Sequence, residues 1–209
     1  MPSFQLPFPQ SNERLIQKMA GQDNAAALRA AAELQERLCF QNGTLHGADL
    51  SNANLTDARL ACASLRQVTF RNAVLIGAYF GASDLRGARL QNAILRASNL
   101  REIRLSDADL SYADLTEAHM ALADLRRTQL HGARMNSANL WRARLQGADL
   151  TNAVLTDVNF YLTEFDETTI LPDGSQWTPN SDLSRFTGRE AHPTLVLYPS
   201  EANKADSRR

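Results

Sequence analysis

The 209-residue sequence has no excess of either charge and no long apolar run. It contains 22 basic and 23 acidic residues, a formal net charge of −1, which predicts binding to neither nucleic acid nor an anionic membrane. No apolar stretch approaches the roughly 20 residues that span a bilayer, and no basic and apolar leader follows Met1. These absences predict a cytoplasmic protein that does not contact membranes.

Residues that carry chemistry are also scarce. Cys39 and Cys62 are the two cysteines, and their spacing resembles no metal site, so we expect reduced thiols. The sequence contains no phosphate loop and no nucleophile elbow. The repeat described below keeps its three histidines apart. The sequence therefore predicts no catalytic residue, cofactor or metal site, and we expect the protein not to be an enzyme.

What the sequence does contain is a five-residue repeat over residues 43–170. An apolar residue, here called a centre, recurs at every fifth position from Leu45 to Ile170, and a small residue, usually alanine, stands two positions before it. Steps of five scatter residues around a helix and alternate between the two faces of a strand. Only a chain that turns once per repeat points every centre into one interior.

Charges directly before the centres, at the minus-one position, indicate twenty residues in each coil. Stacked coils bring equivalent residues about 4.8 Å apart, where opposite charges stabilise and like charges destabilise. Twenty residues per coil produce a column of alternating sign: Asp84, Arg104, Asp124, Arg144 and Glu164. Fifteen would stack Arg89 on Arg104. We therefore predict a four-sided solenoid of about six and a half coils.

The pattern A-(D/N)-L-x-x, as in residues 48–55, resembles the pentapeptide-repeat family. The resemblance implies an all-β solenoid, a right-handed quadrilateral β-helix. The motif L-P-D-G-S-x-W at residues 171–177 resembles tails of cyanobacterial members. Larger residues replace the small one at four places, and we expect a bulge at the second of them: Val68, Ile103, Thr128 and Val158.

A solenoid needs covers for its apolar ends. We predict an N-terminal helical cap over residues 1–42, or alternatively a helical docking element for a partner. Ser11 is the predicted N-cap of its first helix, and Asp23 or Asn24 that of the second. Apolar residues of the two predicted helices are Leu15, Ile16 and Met19, and Leu28, Ala31, Leu34 and Leu38.

Residues 171–209 are predicted to form an irregular C-terminal cap followed by a disordered tail. Trp177 and Phe186 are expected to cover the last coil. The apolar segment 194–198 either joins this cap or adds as a strand to a neighbouring molecule. The protein is accordingly predicted to be a monomer or a dimer formed through its C-terminal segment.

Three surface features depart from the neutral background. One column carries Arg66, Arg86 and Arg126, with Arg127 beside it, and is either a site for an anion or an acidic partner or a row of solvated arginines. Elsewhere Trp141 and Tyr161 occupy equivalent positions on adjacent coils, with Leu162 next to Tyr161, which indicates either an interface anchor or burial under the C-terminal tail. A third group of apolar residues occupies outward positions: Val74, Ile76, Tyr79 and Ile94.

These features favour a non-enzymatic module that binds an unidentified protein partner, with the regulatory roles that the family resemblance implies. Two alternatives are a structural spacer and a DNA-mimic inhibitor of a type II topoisomerase, which the resemblance to quinolone-resistance members allows. Mimicry requires a strongly negative surface. The repeat instead has 14 acidic and 13 basic residues, which argues against it.

Overall fold

A computed structural model describes residues 10–188, and most of them form a four-sided coil. Parallel single-residue bridges join each minus-one residue to the one twenty positions later, as between Asp84 and Arg104. Every twenty residues contain four such positions, so the spacing is the one predicted from the charges. Within residues 10–188 no bridge extends into a longer strand, because the chain turns after each one.

Each corner of the coil is a four-residue turn that begins at a centre. At the first regular corner the Ala53 N–H donates to the Leu50 carbonyl oxygen at 3.2 Å. The residue two positions after the centre, here called plus-two, has a positive φ, as at Asn52 (59°). Such a turn is of type II, which requires left-handed backbone at that residue. Sequence reasoning had not included this requirement.

The interior is filled by the centres and by the small residues two positions earlier, nearly all of them fully buried. The bulge expected at Ile103 does not form, since the Arg104 N–H still donates to the Ser83 carbonyl oxygen at 2.9 Å. Ile103 is buried between Ser83 and Ala123, the residues at the same position in the adjacent coils. Two small neighbours therefore leave room for one large side chain.

The register changes by one residue at the end of the repeat. The last parallel bridge joins Asp149 to Ile170, twenty-one positions later. Thr169 and Leu171 are buried, while Ile170 is only half-buried. The prediction that Ile170 is a centre is therefore wrong, because an extra residue after Phe165 moves the inward position to Leu171.

Two helices precede the solenoid. Helix α1 spans Asn12–Met19 and helix α2 spans Asn24–Glu36. Their N-caps are Ser11 and Asp23, whose side chains accept backbone N–H groups, as predicted. Leu38 does not belong to the apolar face of α2, because it follows the helix with a positive φ and is 71% exposed.

The two helices and the loops that follow them provide hydrogen-bond partners for the first coil, which has no coil before it. The Asn54 N–H donates to the Gly21 carbonyl oxygen at 3.0 Å, and the Ser64 N–H donates to that of Phe40 at 2.6 Å. The Asn24 side chain donates to the carbonyl oxygens of Asn54 and Thr56, both at 3.1 Å. Backbone groups at this edge are thereby satisfied.

At the other end the chain folds back on the last coil. A turn at residues 171–174 leads into an antiparallel bridge between Ile170 and Gln176. The buried Trp177 ring then stacks on Phe165, with 5.7 Å between ring centroids. A short helix, α3, spans Ser184–Thr187. The predictions made for the segment 194–198 and the polar tail lie outside the described residues.

Candidate protein-binding surfaces

The four arginines Arg66, Arg86, Arg126 and Arg127 are here called the arginine edge. Arg86 binds Asp84 through two hydrogen bonds, Nε to Oδ1 at 2.8 Å and Nη2 to Oδ2 at 2.6 Å. Arg126 binds Asp124 in the same way, at 2.8 and 2.7 Å. Each pair lies within one coil, two residues apart. Paired, parallel hydrogen bonds are the strongest form of arginine–carboxylate contact.

Electrostatics of the edge follow from these pairs. Hydrogen bonding by Arg86 lowers the pKa of Asp84, and hydrogen bonding by Arg126 lowers that of Asp124. Arg127 similarly binds Asp107 of the preceding coil at 2.7 and 2.8 Å. Of the four arginines, only Arg66 forms no ion pair with a carboxylate of residues 10–188. Most of the edge is therefore neutralised internally.

The predicted column from Asp84 to Glu164 is stacked in the expected order, each member bridged to the next. Within it, however, only Arg144 and Glu164 form an ion pair, at 3.7 Å. Asp84 and Asp124 instead bind arginines of their own coil. Reasoning from stacking alone missed these contacts, although the sequence D-L-R recurs at residues 84–86 and 124–126 and would have indicated them.

A second surface lies at another corner of the coil. Five residues, here called the aromatic corner, occupy neighbouring positions in three successive coils: Leu122, Trp141, Arg142, Tyr161 and Leu162. The guanidinium of Arg142 lies over the Trp141 ring, 4.8 Å from its centroid. Trp141 is half-buried and Tyr161 is 48% exposed. Within the described residues the C-terminal segment therefore leaves the tyrosine open.

Backbone conformation distinguishes this corner from the others. Glycine, asparagine and aspartate tolerate a positive φ best, and they occupy most plus-two positions at the corner of the arginine edge: Gly47, Gly87, Asp107 and Gly147. The corner that includes Trp141 and Tyr161 has none of them. Its plus-two residues, all with φ between 54° and 62°, are Cys62, Ala82, Glu102, Leu122, Arg142 and Leu162.

Other exposed apolar residues are more scattered. In the third predicted group, Ile76 and Tyr79 are exposed, whereas Val74 and Ile94 are half-buried and bridged to each other. Tyr112, which sequence reasoning missed, is 59% exposed and packs edge-on against His131. A tyrosine at a plus-two position was the signal available for it.

Residues 10–188 contain no group of three histidine, cysteine or acidic side chains placed to hold a metal ion. Among the helices of the same part of the chain, none has the length and apolarity needed to cross a bilayer.

Solved structures similar to this chain include three pentapeptide repeat proteins. Rfr23 from the cyanobacterium Cyanothece 51142 is 39% identical over 42% of this chain and 63% of that one, with a TM-score of 0.38. A protein of the Arabidopsis thaliana thylakoid lumen is 29% identical over 56% of this chain and 70% of that one, with a TM-score of 0.41. HetL from Nostoc sp. strain PCC 7120, involved in heterocyst differentiation regulation, is 26% identical over 63% of this chain and 86% of that one, with a TM-score of 0.32.

The chain thus spans 63% of the length of Rfr23. No curated protein matches the sequence. The cytoplasmic location stays a prediction.

The model of the family described as pentapeptide repeats matches in eight copies, over residues 40–72, 63–101, 103–142 and 133–170. Together these ranges include more than half of the chain. Known structures of this family are right-handed quadrilateral β-helices, and its members are generally structural or binding proteins rather than enzymes. The chain belongs to the pentapeptide-repeat family.

Proposed function

We propose that this protein is a non-enzymatic module that binds a protein partner through the outer surface of its coil, in a regulatory role. The observation that carries the proposal is the aromatic corner, where Tyr161 is 48% exposed beside Trp141. Clustered exposed aromatic side chains are typical of interface anchors.

The remainder of the chain, in this proposal, keeps that surface rigid. Residues 43–170 form a β-helix of about six and a half coils. Residues 1–42 cap its first coil, and the hydrogen bonds that the carbonyl oxygens of Gly21 and Phe40 accept and the Asn24 side chain donates support this assignment. Residues 171–209 include the second cap, and the stacking of Trp177 on Phe165 supports this assignment.

The arginine edge has a smaller part in the proposal. Arg66 is exposed and unpaired among the described residues, whereas Arg86 and Arg126 bind aspartates of their own coils. Inhibition of a topoisomerase by DNA mimicry is disfavoured, because these arginines interrupt the acidic columns that mimicry requires. A structural spacer remains the alternative that an experiment must separate from a binder.

Affinity capture from the native cell distinguishes a protein-binding module from a structural spacer. We expect a partner to be captured by the natural protein and lost from the double variant Trp141→Ala, Tyr161→Ala, at an unchanged melting temperature. Tyr112→Ala removes a tyrosine at another corner that is 59% exposed; it is the matched control and should retain the partner. A second pair, Arg66→Glu with Arg86→Glu, tests the arginine edge. Capture of nothing by any of these proteins would contradict the binding function and favour the spacer.

A further inference from the structure

We propose that the aromatic corner binds an acidic protein segment through one apolar anchor residue. This inference rests on the proposed binding function and adds the chemistry of the partner. It combines three independent observations: an apolar strip, an unpaired positive charge beside it, and unfavourable backbone at its leucines.

The apolar strip crosses three successive coils. Leu122 and Leu162 are half-buried and stand one coil before and one coil after Trp141 and Arg142, with Tyr161 next to Leu162. Adjacent coils lie about 4.8 Å apart, so the strip is about 10 Å long. That length accommodates one aromatic or leucine side chain and its neighbours, the size of an interface anchor.

The ion pairs around the strip indicate which charge a partner should carry beside its anchor residue. Near the strip, Glu102 binds Arg101, Asp124 binds Arg126, and Glu164 is paired with Arg144. The carboxylates of Glu102, Asp124 and Glu164 are therefore already paired within the chain.

Two arginines near the strip remain after this pairing. Arg104 and Arg142 form no ion pair with any carboxylate within residues 10–188. Arg142 is held against the anchor site by its contact with Trp141. The corner therefore carries uncompensated positive charge in a chain whose net charge is −1, and it complements a segment with carboxylates beside its anchor.

Backbone strain indicates that folding alone does not explain the leucines. Leu122 and Leu162 have φ values of 61° and 62°, a conformation that disfavours residues with a branched apolar side chain. Asparagine or glycine forms the same turn elsewhere in this coil, as at Asn92 and Gly132. The turn recurs at every corner with other residues at this position, such as Ala97 and Glu117, so it gives no reason for leucine here, whereas a binding surface does.

A second copy of this chain is a poorer occupant of the corner. A two-fold axis at Trp141 would bring the Arg142 side chains of both copies together, and like charges facing each other oppose association. An acidic partner has no such conflict.

The test is selection of a displayed library of random twelve-residue peptides on the full-length protein. We expect the enriched peptides to share net negative charge and one aromatic or leucine residue. Synthetic copies should bind about tenfold more weakly to Trp141→Ala, the effect of removing a central anchor. Binding to Arg142→Glu should fall by a similar factor and lose its dependence on salt.

Two matched controls keep the result specific. Tyr112→Ala removes an exposed tyrosine and Arg96→Glu an exposed arginine from other corners, and both should leave peptide affinity unchanged. Leu162→Asn should weaken binding without lowering the melting temperature, whereas a residue needed only for folding would lower it.

Other outcomes overturn the inference in distinguishable ways. Enriched peptides that are neutral or basic, or that ignore Trp141→Ala, refute the acidic partner. If their binding is instead abolished by Arg66→Glu, the proposed binding function survives and only the site is wrong. Enrichment of nothing refutes the acidic segment, and affinity capture of a protein partner from the native cell then decides the proposed binding function separately. A dimer in sedimentation velocity that Trp141→Ala dissociates identifies a second copy as the occupant.

Discussion

The arginine edge and the aromatic corner are two corners of the same coil and are built from the same repeat. They differ in how many of their charged and aromatic side chains remain free to bind a partner. At the arginine edge, Asp84 and Asp124 bind the arginines two residues further along. At the aromatic corner, no carboxylate of residues 10–188 pairs with Arg142, and Tyr161 stays half exposed. Charge at the surface of such a coil is therefore not equivalent to charge that is free to bind.

This difference shows that two kinds of neighbouring residue can pair with an outward charged side chain. In this solenoid an outward side chain has neighbours one coil away, twenty residues distant, and others within its own coil, two residues distant. Stacking predicted the column order correctly, but ion pairs form both within one coil, as between Arg86 and Asp84, and between coils, as between Arg127 and Asp107. Glycine and aspartate also relieve the turns at the arginine edge, while leucines occupy them at the aromatic corner.

The largest change in stability is expected from adding a side chain at a relieved corner. Gly147→Ala would place a Cβ at a φ of +69°, 3.2 Å from Cγ of Arg127 and 3.3 Å from Oγ1 of Thr168. We expect the free energy of unfolding, measured in urea, to fall by about 1–2 kcal/mol. Leu162→Ala is the control, because residue 162 already has a side chain at a positive φ. The change to alanine there adds no Cβ to left-handed backbone. If Gly147→Ala leaves the free energy of unfolding unchanged, the backbone conformation of this corner does not require glycine.

A smaller effect is expected from breaking the pairs at the arginine edge. Asp84→Asn with Asp124→Asn should lower the free energy of unfolding by about 1 kcal/mol in total at neutral pH, because partly exposed ion pairs are weakened by solvent and salt. Glu117→Gln, an exposed carboxylate at another corner, is the control and should have little effect.

The same pairs set a pH dependence whose sign is fixed. Hydrogen bonds from Arg86 and Arg126 lower the folded-state pKa of Asp84 and Asp124 below the ordinary value of 3.8. Their stabilisation is therefore complete above pH 4 or so and is lost as pH falls from there through the folded-state pKa. Urea unfolding between pH 3 and 7 should show the natural protein and the double variant converging at the acidic end. A difference that is the same at every pH would contradict the assignment.

The smallest effect is expected at the aromatic corner itself. Leu122→Asn relieves an unfavourable φ of 61° but removes apolar contacts, so we expect a net stabilisation of about 0.5 kcal/mol. The reverse change at another corner, Asn152→Leu at φ 59°, should destabilise by a similar amount. If both changes destabilise, Leu122 contributes more to packing than its half-buried position indicates.

Much of the fold was predictable because the repeat imposes one geometry on every residue. The period of five identified the inward positions, and the alternating charges identified the twenty-residue spacing between bridges. The N-caps Ser11 and Asp23 were readable because a capping side chain acts on residues only three positions away. Family membership followed from the same repeat.

Other features depended on information that the repeat does not contain. The register change at Ile170 results from one extra residue, so the period of five predicted Ile170 as the centre although the buried residue is Leu171. The state of Arg86 and Arg126 depended on side-chain conformations, which a pattern of positions does not specify. The tolerance of Ile103 depended on Ser83 and Ala123, twenty residues away on each side.

That placement of Ile103 has a consequence for how this sequence can diverge. The volume available to one inward side chain is shared along its column, so the substitutions accepted at position 103 depend on those already made at 83 and 123. Related sequences should therefore exchange bulk between coils, enlarging one residue where a neighbour twenty positions away has shrunk. Variation would then be correlated at a separation of twenty residues, and a residue that disrupts one homologue would be neutral in another.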